Sequence, residues 1–256
     1  MPSWSLADLA RIEDAGLNAS APPQQRVLDG WLLRFSPGKA KRARCVNALS
    51  AGHLPLADKL ALCEQAYELA GLPMIVRITP LSKPAGLGDM LAGMGLLRFD
   101  DTRVMVLQNL QALAAAPLEG LTLHAVSGQH YAQVIGSLRG SSPAQAEAHG
   151  ERLRLAPVPC RGFLMLRGGE TLACGQYAME SDMIGLYDVF TAPAARGQGL
   201  ARALCTELLL RARAEGARRA YLQVEGDNHA ARAVYDRLGF ADAYAYHYRA
   251  RDLELA

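Results

Sequence analysis

Residues 187–203, with the sequence YDVFTAPAARGQGLARA, join the end of an apolar run to a glycine-containing turn and the start of a helical pattern. The run MIGLYDVF is typical of a strand that is buried on both faces of a sheet. Pro193 ends this strand, and apolar residues at 200, 204 and 208 then follow at helical spacing. The sequence therefore predicts a strand, a tight turn and a helix in direct succession.

This turn is suited to binding an anion. The first main-chain N–H groups of a helix have no partner inside it, and the helix dipole adds positive potential there. Gly197 and Gly199 would let a diphosphate approach the main chain closely. A Walker loop is excluded because no Lys-Ser/Thr pair follows, and a dinucleotide loop because Arg202 stands in place of its last glycine. A plain strand-to-helix turn remains the alternative.

A second motif makes the pattern more specific. The R-x-x-G-x-A of residues 196–201 is followed, at residues 228–240, by NHAARAVYDRLGF, which has the form N-x-x-A-x-x-x-Y-x-x-x-G-F. Over residues 120–250 the chain resembles the GNAT superfamily of N-acetyltransferases, in particular its bacterial two-domain, tandem type. The resemblance implies transfer of the acetyl group of acetyl-CoA to a primary amine, of a small molecule or a protein, within a ternary complex. A non-catalytic sensor or regulatory module that binds acyl-CoA is the alternative.

The resemblance also implies roles for individual residues. Main-chain groups of Val189 and Thr191 would bind the pantetheine arm in the manner of an added strand. Asn228 would lie near the cofactor or simply cap its helix. Tyr235 would protonate the departing thiolate, with aromatic packing on the sheet as the alternative. The diphosphate would be bound by the segment Arg196, Gly197, Gln198, Gly199, Leu200 and Ala201.

The group that accepts the amine's proton is less clearly marked. Asp188 is the main catalytic candidate, because a carboxylate inside an apolar run is costly to bury unless it is paired or used. An aspartate that only accepts structural hydrogen bonds is the alternative. Tyr187, Glu180 and Asp182 lie close by on the same strand or near its start.

The first half of the chain repeats the order of elements in the second. A helix over 56–69, a strand over 74–78, a short helix ending at Gly95 and a strand over 103–107 match segments at 200–215, 220–224, 230–238 and 243–248. We interpret this as a degenerate duplication in an α/β fold with mixed, mostly antiparallel sheets. It predicts a degenerate GNAT-like domain (1–116) and a catalytic GNAT domain (117–256), joined by a linker at 114–120. Two unrelated α/β domains are the alternative.

Composition limits the possible partners. A net charge of +2 over 256 residues argues against a nucleic-acid partner. The longest apolar stretches fall short of the ~20 residues that span a bilayer, and the N-terminus lacks a secretory pattern, so we expect a cytoplasmic protein without a membrane partner. The five cysteines contain no CxxC pair, and no metal is expected. We therefore expect an amine substrate and a chain that is a monomer or a homodimer.

Overall fold

The computed structural model describes residues 4–115 and 119–254. These residues form seven α-helices: α1 (Leu6–Ala19), α2 (Leu56–Leu69), α3 (Leu87–Gly93), α4 (Gly128–Leu138), α5 (Pro143–Arg154), α6 (Leu200–Ala214) and α7 (His229–Arg237). The same residues form eleven strands: β1 (Gln24–Leu28), β2 (Trp31–Phe35), β3 (Val46–Ala48), β4 (Val76–Ile78), β5 (Leu97–Leu107), β6 (Thr122–Val126), β7 (Cys160–Arg167), β8 (Glu170–Glu180), β9 (Met183–Thr191), β10 (Arg219–Glu225) and β11 (Ala241–Ala250).

The described strands form one mixed sheet, in the order β1-β2-β3-β4-β11-β5-β10-β9-β8-β7-β6. Neighbouring strands are antiparallel except in two parallel pairs, β3 with β4 and β9 with β10. The prediction of a mixed, mostly antiparallel α/β fold is confirmed. The sequence suggested a separate sheet for each half, whereas the structure gives both halves a single shared sheet.

The sheet is shared because the two halves exchange their last strands. Strand β5 of the first half lies between β10 and β11 of the second, and β11 lies between β4 and β5. The exchange is extensive, since β5 pairs with β10 from Leu107 opposite Ala220 to Thr102 opposite Glu225. Main-chain hydrogen bonds along the sheet therefore join the halves, and neither half has a complete sheet of its own.

The element order repeats as the sequence predicts. In each half, one long helix lies along the chain between the two strands of the parallel pair. This helix is α2, which begins at Leu56, in the first half and α6, which begins at Leu200, in the second. The predicted helix over 56–69 is confirmed, and the one over 200–215 is confirmed to within one residue. The domain boundary between residues 116 and 117 falls where the structure describes no residues, so it stays a prediction.

The sheet is covered on both faces, and this fixes where a site can open. Leu204 and Leu208 of α6 are fully buried in one apolar cluster with Leu222 of β10. Tyr221, the next residue toward the start of β10, belongs instead to the cluster that contains Ile12 of α1. Successive strand residues point to opposite faces, so α6 and α1 cover opposite faces of the sheet. No helix within the described ranges is both long and apolar enough to cross a membrane.

Candidate active site

The ends of β9 and β10 separate beside a bulge. The two strands pair in parallel only as far as Leu186 opposite Leu222. Strand β9 then shifts its register against β8. Gln176 lies opposite Tyr187, whereas Cys174, two residues earlier on β8, lies opposite Phe190, three residues later on β9. Such a shift is a β-bulge, which bends a strand and redirects its side chains. Among the described strands, the main chain beyond the bulge thus has no partner on its β10 side.

The predicted site residues on β9 lie at this bulge. Asp188 and Val189 occupy it, and Asp188 has a left-handed φ of 49°. Thr191 follows near the end of the strand, where it pairs with Ala173 of β8. Val189 and Thr191 therefore lie beyond the last β9–β10 pair, where an added extended chain could reach them.

The glycine turn between β9 and α6 presents unpaired amides. Gly197 and Gly199 have left-handed φ values of 78° and 75°. A Cβ placed on either residue would meet no atom within 4 Å. The main-chain N–H groups of residues 197–201 donate to no acceptor in the described part of the chain. This open row of amides at the start of a 15-residue helix has the geometry that an anionic diphosphate requires.

Two side chains of the turn have structural partners. The Arg196 Nε lies 3.5 Å from the Thr191 carbonyl oxygen, which ties the turn loosely to the end of β9. The Oε1 of Gln198 accepts a hydrogen bond from Arg167 at 3.1 Å. Both contacts hold the turn in place and leave its amides free.

The corresponding turn before α2 is filled by a carboxylate of the protein itself. The amides of His53 and Leu54 donate to the Asp29 carboxylate at 2.9–3.0 Å, and Lys59 Nζ lies 2.6 Å from it. The hydrogen bond from Lys59, followed by those two amides, lowers the pKa of Asp29 to about 2. Pro55, which precedes α2, has no N–H to offer. An internal anion therefore takes the place that an external diphosphate would need.

A cavity of about 410 Å³ lies beside the β9 bulge, between the two halves of the chain. The first half contributes the loop around Gly38 and the short 3₁₀ helix Lys41–Ala43. The second half contributes the bulge, α4, α5 and Tyr235 of α7. Lys39, Lys41 and Arg42 of the first half are therefore part of the wall of this cavity.

Tyr235 is a buried phenol at the cavity wall. Its side chain packs edge-on against Phe240, with ring centroids 6.0 Å apart. Its hydroxyl makes no hydrogen bond to any residue that the structure describes. Burial raises the pKa of Tyr235 well above its ordinary value. The phenol is therefore protonated at neutral pH and free to donate its proton inside the cavity.

Asp188 is held as a carboxylate by its neighbours. Arg139 Nη1 lies 2.9 Å from Oδ1, and Gln176 Nε2 donates to Oδ2 at 2.6 Å. Burial alone would raise the pKa of Asp188, but His149 and Arg139 hold it far below its usual range. Because Arg139 and Gln176 already hold its two oxygens, Asp188 is well placed to orient a neighbour, and its predicted role as the base stays a prediction.

The neighbour suited to accept a proton is His149, a residue that the sequence did not single out. Its Nε2 lies 3.3 Å from Asp188 Oδ2, although the angle is not that of a hydrogen bond. Its ring packs edge-on against Tyr131, with centroids 6.3 Å apart. Nδ1 has no hydrogen-bond partner among the described residues. A histidine beside a buried carboxylate, with one free ring nitrogen at a cavity, is an arrangement typical of a general base.

The other acidic candidates are engaged away from the cavity. Glu180 accepts hydrogen bonds from Asn18 at 3.1 Å. Asp182 pairs with Arg11 at 2.9 Å and with Arg219 at 3.2 Å.

The remaining candidates also have structural partners. The Tyr187 hydroxyl lies 2.6 Å from that of Tyr221. Asn228 caps α7, since its Oδ1 accepts the amide hydrogen of Ala231 at 3.1 Å. Over residues 4–115 and 119–254, no group of three or more His, Cys, Asp and Glu side chains is arranged to hold a metal ion.

Comparison with protein families matches residues 131–240 to the acetyltransferase (GNAT) family. The similarity to GNAT acetyltransferases thus falls on residues 131–240. The match includes the β9 bulge, the glycine turn, His149 and Tyr235, while the cavity wall formed by the first half lies outside it.

Full-length relatives extend the similarity of the GNAT domain to the whole chain. The chain is 28% identical over 251 residues to the "Uncharacterized N-acetyltransferase YobR" of Bacillus subtilis (strain 168), which covers 94% of this chain and 98% of that protein. The fold is similar to that of a GCN5-related N-acetyltransferase from Kribbella flavida, with a TM-score of 0.69, 17% identity and 94% of each chain covered. It is also similar to a tandem GNAT protein from the clavulanic acid biosynthesis pathway, with a TM-score of 0.63, 16% identity and coverages of 91% and 86%. The predicted resemblance to GNAT proteins, including the tandem type, is confirmed.

Proposed function

We propose that the protein moves the acetyl group of acetyl-CoA to a primary amine, of a small molecule or a protein, by direct transfer in a ternary complex. The observation that carries the proposal is the row of unpaired amides at residues 197–201, next to the gap between β9 and β10. Val189 on one side of the gap and Leu222 on the other both line the cavity that contains Tyr235. An acyl-CoA bound at the turn could therefore extend its thioester into that cavity.

The chain's own residues suit each part of acetyl-CoA. The amides of residues 197–201 and the α6 dipole would bind the diphosphate, with Arg196 adding charge at the exposed rim. Val189 and Thr191 would hydrogen-bond the pantetheine arm through their main chain. Asn228, at the start of α7, would lie near the arm while it caps the helix that carries Tyr235.

In the transfer step the neutral amine attacks the thioester carbonyl, and a C–N bond forms. The tetrahedral intermediate then collapses with cleavage of the C–S bond, and sulfur departs as a thiolate. Tyr235 would donate its phenolic proton to that sulfur, and His149 would accept the proton that the amine nitrogen loses. The Asp188 carboxylate would orient the His149 ring and stabilise its protonated form.

We expect acetyl-CoA to bind with one site per chain and to release CoA thiol when an accepted amine is present. The Asp29 carboxylate closes the turn before α2, which leaves the turn before α6 as the open anion site of the two. Replacing Gly199 with Ala should weaken acetyl-CoA binding by roughly tenfold or more, because a methyl group would stand where the diphosphate approaches the main chain. Calorimetric titration gives the stoichiometry and affinity, and a thiol reagent measures turnover over an amine panel.

Gly86 provides a matched control for Gly199. It begins α3 with a φ of 76°, and an added Cβ would likewise meet no atom within 4 Å. Gly86→Ala therefore imposes the same left-handed strain and should leave acetyl-CoA affinity unchanged. Two equivalent sites per chain, or equal effects of the two substitutions, would contradict the assignment of the turn.

His149→Gln should lower kcat/KM by about 10²-fold, toward the lower end of what general base catalysis contributes. The loss should shrink as pH rises, because the free amine then forms without help from the protein. A pH profile of kcat/KM from 6 to 10 measures both effects. His130→Gln, on the exposed face of α4, is the control for removal of an imidazole. A pH-independent loss for His149→Gln would instead assign His149 a purely structural role.

A further inference from the structure

The cavity wall has a surplus of positive charge. Five basic side chains line it, against three carboxylates. Two opposite pairs neutralise each other, Lys41 with Asp100 at 2.7 Å and Arg139 with Asp188 at 2.9 Å. The groups left over are Lys39, Arg42 and Arg152 on the basic side and the exposed Glu225 on the acidic side.

Arg152 is the most informative of these groups because its guanidinium is buried beyond ion-pair distance of every carboxylate in the described part of the chain. The residue is only 9% exposed, and although the Asp188 carboxylate attracts it, burial outweighs that attraction and lowers the pKa of Arg152. Its hydrogen bond within the described chain runs from Nη1 to the Ala19 carbonyl oxygen, at 3.3 Å. Burying a guanidinium without an anion is costly, so this group points to an anion supplied from outside.

Arg42 is a second guanidinium in the same cavity. Its Nη1 donates to the Tyr246 hydroxyl at 3.3 Å, while its Nε is buried and has no partner among the described residues. Its guanidinium lies 5.8 Å from the ring centroid of Tyr187. Burial raises the pKa of Tyr187 to about 12, while Arg42 and Arg152 both act to lower it. Arg42 and Arg152 line the same cavity, where their like charges repel unless an anion joins them.

On the basis of the proposed transferase function, we infer that the acceptor is a primary amine that also bears an anionic group, either a carboxylate or a phosphonate. Arg42 and Arg152 bind this anion, and the amine lies toward the His149–Asp188 pair on the same cavity. Arginine suits this role because its planar fork binds two oxygens of an oxyanion together. Acceptors with several positive charges and no anion, such as polyamines, are disfavoured by the surplus of basic groups.

The test measures binding separately from turnover. Matched sets of three acceptors share one side chain and differ in the anion: an amino acid, its aminophosphonate analogue and the corresponding simple amine, for example alanine, 1-aminoethylphosphonate and ethylamine. Sets with small, branched and aromatic side chains are titrated calorimetrically into the protein in the presence of CoA, where no acetyl transfer can occur. We expect at least one set in which an anionic member binds tenfold or more tightly than its simple amine, and the carboxylate and phosphonate arms show which anion is preferred.

Arg152→Gln should weaken binding of the preferred anionic amine by about 10- to 100-fold, as expected for loss of charged hydrogen bonds. The replacement side chain is still polar, which avoids placing an apolar group beside the Ala19 carbonyl, and thermal unfolding checks that the fold is kept. Arg42→Gln should give a loss of similar size and serves as an independent second variant. Arg154→Gln removes the same charge from an exposed position of α5 and should leave binding unchanged.

The outcomes separate this inference from the proposed function. Anion-selective binding that Arg152→Gln abolishes supports the inference, whether or not thiol is released. The absence of thiol release would overturn only the proposal of acetyl transfer. Thiol release with simple amines as good as their anionic partners would overturn the inference and support transfer. Equal losses in Arg152→Gln and Arg154→Gln would also overturn it, because the effect would then come from general charge.

Discussion

Replacing Tyr235 with Phe is expected to lower kcat by about 10²–10⁴-fold, the usual contribution of a general acid. The substitution removes one hydroxyl and keeps the ring that packs against Phe240. The affinity for acetyl-CoA should change little, because the phenol stabilises charge that develops on sulfur only in the transition state. Single-turnover kinetics with saturating amine, together with a binding titration, measures the two quantities separately.

Tyr177→Phe is the matched control for this variant. Tyr177 also lies in the second half, but its hydroxyl donates to Glu215 at 2.9 Å, away from the cavity. Its loss should leave kcat within a few-fold of the wild type. An active wild type with an equally active Tyr235→Phe variant would assign the proton to water. A protein that binds acetyl-CoA with the same affinity in both forms and never releases thiol would be a sensor and not an enzyme.

The sequence predicts the site best where its chemistry is local. The glycine turn and the helix after it form one contiguous segment, residues 197–214, and both are found as predicted. The same holds for the helix over 56–69, whose apolar spacing and following glycine are contiguous. Over such short distances, helix capping and turn geometry are fixed by the residues themselves.

Features that depend on contacts between distant segments cannot be predicted from the sequence. His149 reaches Asp188 only because α5 folds against the β9 bulge. The Asp29 carboxylate closes the turn at His53 across an intervening strand pair. The exchange of strands cannot be read from the apolar pattern of the sequence. The side chains of β5 alternate between the two faces of the sheet in the same way whether the neighbouring strand belongs to the same half or to the other.

The strand exchange also places a buried ion pair where three parts of the chain meet. Glu13 of α1 binds Arg77 of β4 through both carboxylate oxygens, one of them 2.9 Å from Nη2. The Tyr244 hydroxyl of β11 donates to the same carboxylate. Arg77 also lies over the ring of Tyr246, 3.8 Å from its centroid. The carboxylate thus ties the N-terminal helix to a strand of each half.

Glu13→Gln is therefore expected to lower the free energy of unfolding by about 3–5 kcal/mol, because it leaves the Arg77 guanidinium buried without its counter-charge. Urea unfolding at pH 7 measures the loss. Asp14→Asn, on the exposed face of the same helix, should change stability by less than about 0.5 kcal/mol. Burial opposes ionisation of Glu13, but Arg77 outweighs it, so the pKa of Glu13 lies below its ordinary value.

The direction of this shift gives the pair a defined pH dependence. A carboxyl group whose pKa is lowered by folding stabilises the protein above its unfolded-state pKa and loses that contribution as pH falls. The stability gap between the wild type and Glu13→Gln should accordingly be largest near neutral pH and narrow below about pH 4, where the unfolded chain takes up the proton. A gap that stays constant from pH 7 to pH 3 would show that packing, and not the charge of Glu13, holds the two halves together at this point.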